Sequence, residues 1–160
     1  MTTSFAVTAA IRYLLVALFL PFSALDKILN FDGAVAQCRE RVADPGLART
    51  AIVAALCLEI LMPIAILTGT ADRLAAFLMA GYCVVTALLW KQFWRPGDFW
   101  RRGASRGREL FWDFLKNVSV AGGFLLIAFG PGGGAVLDLL DHPFASSHPY
   151  AQVDAPGTAR

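Results

Sequence analysis

Six polar residues stand where a hydrocarbon-like setting should have excluded them: Asp26, Lys27, Glu59, Lys91, Lys116 and Asn117. Each lies within or at the end of a long apolar run. An ionisable group inside a membrane span costs at least ~2.5–3.5 kcal/mol on insertion scales, so each needs a reason. Glu59 needs the strongest one. At about 1.5 Å per residue it lies ~14 Å from one end of its run, close to a bilayer midplane. It cannot reach an interface, so it is expected to be either neutral or paired with a cation. The three lysines lie roughly 3–8 Å inside the same boundary, and their stems cover about another 6 Å along apolar surface. An acid, three amines and an amide delivered to one depth would form a polar pocket able to hold a ligand headgroup or pass a proton. The plainer reading makes each lysine an end-of-span anchor, with Lys91, nearest the tryptophans, the best candidate.

Other chemistries find less support. Pro63 removes the helical hydrogen bond of the Glu59 carbonyl, and Pro21 does the same to Ala17. Both mark expected kinks, the first beside the carboxylate. Arg12, near the far end of the first run, is expected to reach the interface as an outer anchor. His142 and His148 each precede a proline in the tail and provide no axial pair for a haem. No Ser/His/Asp set, C-x-x-C or glycine-rich nucleotide motif occurs, so catalytic residues are unknown and no haem, flavin or metal site is evident. Cys57 and Cys83 lie in apolar runs as small hydrophobes, and with Cys38 they make neither a disulfide framework nor a zinc site.

These residues must be positioned by spans. Four apolar segments, at about 5–29, 48–68, 74–93 and 111–129, each approach the ~20 residues that cross a ~30 Å hydrocarbon core. In lipid the backbone satisfies its own hydrogen bonds, which predicts helices. Only 16% of the 160 residues are charged while 57% are hydrophobic, against about 25% charged in soluble domains. The expected fold is all-α, an integral membrane four-helix bundle over residues 1–141, with 142–160 an irregular, mobile tail. The first run lacks a basic leader and a small-residue cleavage site, so no cleavable signal peptide is expected.

Orientation follows from the cations. The loops after the first and third spans share one side, which holds Lys27, Arg39, Arg41, Arg49, Lys91, Arg95, Arg101, Arg102, Arg106, Arg108 and Lys116. That is eleven of the 14 lysines and arginines, leaving Arg12, Arg73 and Arg160 opposite. The positive-inside rule places the rich side in the cytoplasm and both termini outside. Trp90, Trp94, Trp100 and Trp112 gather on the rich side, as an interfacial belt does. A basic, aromatic loop also suits single-stranded nucleic acid. Between two spans the lipid boundary is the better fit, and no nucleic-acid partner is expected. Residues 30–46 read as a short amphipathic surface helix or a plain loop, ended by the Asp44-Pro45-Gly46 turn. In the last span, Ser119, Gly122 and Gly123 read as a small-residue packing face.

The ordered set of motifs resembles the DoxX family of small four-span bacterial membrane proteins. The set comprises Arg12, Ser23-Ala24-Leu25-Asp26-Lys27, Glu59, Phe93-Trp94, Lys116-Asn117 with Gly122-Gly123, and Gly130-Pro131-Gly132 with Leu137-Asp138. Two departures stand out. The family often has a histidine where this chain has Lys91, and the loop from Arg95 to Arg108 is long and basic. The resemblance implies a multi-pass protein of the bacterial inner membrane, a subunit of a quinone-linked oxidoreductase system. Its expected site is Glu59 with Lys27, Lys91, Lys116, Asn117 and Asp26 around a quinone headgroup. Since no electron-carrying group has a visible site, catalysis would require a redox partner protein. Homo-oligomerisation is the alternative association. The competing functions are a non-catalytic anchor or assembly scaffold and, less favoured, a small transporter, which four spans without an internal repeat support poorly.

Overall fold

The structure, a computed structural model, describes residues 2–17, 22–130 and 136–151, with the side chains of 2–4 left aside. Every regular element among the described residues is a helix: α1 (Thr2–Val16), α2 (Ala24–Leu29), α3 (Phe31–Arg39), α4 (Pro45–Thr68), α5 (Asp72–Trp90), α6 (Arg106–Phe129) and α7 (Val136–Asp141). Three of them, α4, α5 and α6, are long and apolar enough to cross a membrane, and Phe5–Val16 is a shorter apolar helix. The expected first span thus corresponds to α1 and α2. Residues 18–21 between them, Pro21 included, lie outside the described residues.

The helix boundaries have local causes. Asp44 caps α4 by accepting the Leu47 N–H at 2.6 Å, and Pro45 stands at the first helical position, where its missing N–H costs nothing. Helix α4 then runs through Pro63 without interruption. Ser105 caps α6, accepting the Arg108 N–H at 3.2 Å. Helix α6 therefore begins before the apolar run does, at Arg106. Helix α5 ends at Trp90, earlier than the apolar run implies. The reason is Phe93, which turns into an aromatic cluster with Trp94, Phe99, Phe111 and Phe114 at centroid distances of 5.0, 6.0, 5.0 and 5.5 Å.

Helices α4, α5 and α6 pack around a core of Ile66, Met79, Cys83, Ala121 and Phe124, with Val16 entering from α1. On α5 the buried Ala76, Ala80, Cys83 and Ala87 recur at helical spacing and form a face of small side chains. Close backbone approach of this kind is how helices associate in lipid, where burial of apolar surface gives no advantage. Outward, Leu61, Ile64, Leu88 and Leu126 are exposed, which suits a hydrocarbon surround. The small face expected on α6 is narrower than its spacing implies. A Cβ on Gly123 would stand 3.1 Å from Leu15, whereas one on Gly122 would meet nothing within 4 Å. Ser119 is exposed. Gly123 therefore admits α1, and its two neighbours face away from the bundle.

Residues 30–46 do contain an amphipathic helix. Cys38 on α3 is buried against Ala48 and Ile52 of α4, so α3 lies across the start of that span. Of the tail expected to be mobile, residues 142–151 are held in place, and residues 152–160 lie outside the described residues. Ser147 donates its hydroxyl to Asp72 at 2.5 Å, and Tyr150 donates its hydroxyl to the Leu67 carbonyl. The Tyr150 ring lies tilted against Phe5, with centroids 4.9 Å apart. Residues 142–151 form a strap docked on the end of the bundle.

A candidate buried ion-pair site and its cavity

Glu59, on α4, is 1% exposed, and its partners come from α2 with the residue before it and from α5. Ser23 and Lys27 are four residues apart and so share a side of the chain segment leading through α2. The Ser23 hydroxyl donates to Glu59 Oε1 at 2.7 Å. Lys27 Nζ donates to Oε1 at 2.8 Å and Oε2 at 3.0 Å, and also to Ser23 Oγ at 2.8 Å. From α5 the Tyr82 hydroxyl donates to Oε1 at 2.6 Å. Thus a midplane carboxylate is paired rather than isolated, and one of its oxygens takes three donors. Pairing with further hydrogen bonds is the condition under which a buried charge is tolerated.

This network faces a cavity of about 650 Å³, within the ~300–1,000 Å³ range of small-molecule sites. Ser23, Lys27, Glu59 and Tyr82 form its polar wall, while Ile52, Leu58, Val85 and Leu89 make it apolar elsewhere. Helix α3 contributes Ala34, Gln37 and Cys38 as another wall. The exposed Asp26 and Val85 at its margin open it to the surroundings.

Of the six residues expected from sequence, Asp26, Lys27, Glu59, Lys91 and Asn117 line this cavity. Lys91 also pairs with Asp113 at 3.1 Å, and Asn117 donates its amide to the Asp113 carbonyl at 3.0 Å. Lys116 is the exception. Its side chain is 74% exposed and reaches only Asp113, at 3.4 Å. One residue along a helix is a turn of about 100°, so Lys116 and Asn117 cannot face the same wall. Lys116 is therefore no part of the pocket. Tyr82 was missed by sequence reasoning, although its hydroxyl, near the middle of an apolar span and with Thr86 one turn on, was a legible signal.

Arg12 also departs from expectation. It is 6% exposed and inside the bundle, not at an interface. Its guanidinium lies 2.7 Å from Asp72 and donates to the Ile66 carbonyl at 2.7 Å and Ser147 Oγ at 2.9 Å. Beside it Arg73 meets Asp138 at 2.5 Å and the Ala128 carbonyl at 3.2 Å. A second ionic cluster therefore closes the end of the bundle opposite the basic loop.

The DoxX family model matches residues 7–92. The inner membrane protein YphA of Escherichia coli (strain K12) is 33% identical over 122 residues, covering 76% of this chain and 81% of YphA. The chain belongs to the DoxX family. No solved structure matches it. Its DoxX membership and its apolar helices make it a multi-pass protein of the bacterial inner membrane, in contact with lipid along those helices. The DoxX match contains Arg12, Ser23, Lys27, Glu59, Asp72, Tyr82 and Lys91, which are most of both ionic clusters. Asn117, Asp113, Asp138 and the strap lie beyond it.

Proposed function

We propose that this DoxX protein is the membrane subunit of a quinone-linked redox system, holding a quinone headgroup in the cavity beside Glu59 for a partner that handles the electrons. The observation that carries the reading is the Lys27–Glu59 pair set in the wall of a cavity that is otherwise largely apolar. A quinone needs donors for its carbonyl oxygens and an apolar slot for its ring and chain. The cavity supplies Lys27 and Asn117 as polar groups and Ile52, Leu58, Val85 and Leu89 as apolar wall. A bound quinone would supply reversible two-electron, two-proton chemistry.

The residues have distinct parts in this reading. Glu59, with its Oε1 already taking three donors, is a positioning residue that fixes Lys27, Ser23 and Tyr82. Lys27, with its side chain 18% exposed, is the cation at the wall; its three N–H groups are held by Glu59 and Ser23, so it acts on a carbonyl oxygen through its charge. Asn117 lies at the α6 side of the same wall. By the positive-inside rule, the cavity opens in the cytoplasmic half of the bilayer.

The test is titration of the full chain in detergent with a short-chain benzoquinone, read as quenching of tryptophan fluorescence, since Trp90 lines the cavity. Saturable quenching is expected, weakened at least about tenfold in Lys27→Met, a loss of ~1.4 kcal/mol or more. Lys116→Met should bind as the parent does. Quenching that never saturates, or that Lys27→Met leaves unchanged, would sink the proposal.

A further inference from the structure

The loop of residues 91–105 is a built surface. Phe93 anchors it through the aromatic cluster. The Asp98 carboxylate accepts the Arg106 and Gly107 N–H groups, both at 2.8 Å, so the loop's acid is spent on the first turn of α6. A Cβ on Gly107 would stand 2.9 Å from that carboxylate, so the glycine permits the closure. Arg108 donates to the carbonyls of Phe99, Arg101 and Gly103, pinning the loop from inside. The remaining acids nearby are engaged too: Glu109 with Arg106, and Asp113 with Lys91 and Lys116.

Three cations are left over. Arg95, Arg101 and Arg102 are exposed, and no ion pair holds their guanidinium groups among the described residues. Beside them Trp100 is 90% exposed, and Trp94 and Trp112 are more than half exposed. The loop joins the ends of two membrane-crossing helices, which sets it at the boundary of the bilayer. There an exposed indole sits favourably among headgroups, and neighbouring arginines meet phosphate.

We propose that the 91–105 loop is a docking surface for anionic phospholipid, with Trp100 in the interface and Arg95, Arg101 and Arg102 on the headgroup phosphates. The combination decides the partner. Arginines alone would suit an acidic protein, but a fully displayed Trp100 beside two half-exposed indoles at bilayer height needs a partner that is apolar and anionic at once. A phospholipid is both. The docked lipid would lie beside the cavity wall that Trp90 and Lys91 form.

The experiment is native mass spectrometry of the full chain in detergent, titrated with phosphatidylglycerol or phosphatidylcholine of identical acyl chains. The parent should retain phosphatidylglycerol in preference, and added salt should weaken that preference. The triple variant Arg95→Gln, Arg101→Gln, Arg102→Gln should bind phosphatidylglycerol about a hundredfold more weakly, as three cations near an anionic surface imply, and phosphatidylcholine unchanged. The triple lysine variant at the same positions should keep the preference, which separates lost charge from a misfolded loop. Equal retention of both lipids by the parent overturns the proposal. So does an undiminished preference in the glutamine variant, or its loss in the lysine variant. Displacement of phosphatidylglycerol by soluble polyglutamate at matched ionic strength, with no effect of Trp100→Ala on lipid retention, would assign the surface to an acidic protein instead.

Discussion

Glu59 and Lys27 show what one buried pair does to the stability of a membrane helix bundle. Removing one partner leaves the other charge buried without compensation, which costs about 3–5 kcal/mol, whereas replacing both by apolar groups is often neutral. Lys27→Met should therefore lower the thermal midpoint in detergent sharply, and Lys27→Met with Glu59→Leu should recover most of the loss. A double variant whose loss equals the sum of the Lys27→Met and Glu59→Leu losses would show that the pair contributes no coupling. Sequence reached Glu59 because an acid at midplane depth must be paired or neutral, but it left its partner open among three lysines at similar depth. Depth is a property of position along the chain; facing is a property of rotation and packing. That is why Lys27 met the acid, Lys91 met Asp113 instead, and Lys116 faced away. Asp98 provides a pH-dependent counterpart outside the spans. The Gly107 N–H, and after it that of Arg106, holds its carboxyl below the usual aspartate value, against a smaller opposing effect of desolvation. The folded group binds its proton less tightly than the unfolded one, so its contribution is complete above the ordinary value of about 3.9. It is lost as pH falls through the lower folded value. The loop should consequently loosen only in acid below that point, read as a red shift of tryptophan emission. Asp98→Asn should flatten the transition, and an unchanged transition in that variant would remove Asp98 as its cause.

The strap is the element for which chain pattern was least informative. Residues 142–151 have no helical period, and a polar, proline-containing end reads as mobile. Its order comes from outside itself. Ser147 donates its hydroxyl and its N–H to Asp72, at 2.5 and 2.8 Å, while accepting from Arg12. Each of these partners is remote in sequence, so no local signal announces them. The buried Asp72 and Arg12 in turn depend on the strap for part of their hydrogen bonding. Ser147→Ala should cost about 1–3 kcal/mol, the range for stripping a partner from a buried polar group. Limited proteolysis of that variant should cut at residues 142–151 faster than in the parent, and equal cutting rates would mean the hydroxyl does not hold the strap. The helices themselves were far more legible, because twenty apolar residues in succession leave few alternatives in lipid. Their ends were not. Polar Arg106 and Glu109 belong to α6 through the Ser105 cap, and a hydropathy boundary cannot register a helix that continues into water.

At the scale of the whole molecule, two ionic clusters occupy opposite ends of a core made of small and apolar side chains. Lys27–Glu59 and its cavity lie towards the basic loop, and Arg12–Asp72 lies under the strap. Between them stand Ile66, Met79, Cys83 and Phe124, each at most 1% exposed, so the core separates the two clusters with side chains that carry no proton-accepting charge. Such a layout favours a ligand holder open on one side over a conducting path. Under the proposed quinone-linked reading, a redox partner would reach the cavity from the compartment that the basic loop faces. The cation bias assigns that face to the cytoplasm. The assignment is checked with single reporter cysteines in a Cys57→Ala background, as Cys38 and Cys83 are buried. Phe144→Cys lies in the exposed part of the strap, and Arg102→Cys lies in the exposed part of the loop. In intact spheroplasts a membrane-impermeant maleimide should label Phe144→Cys and spare Arg102→Cys until the membrane is opened. The reverse pattern would place the cavity towards the outer compartment, and any redox partner would then have to be sought there.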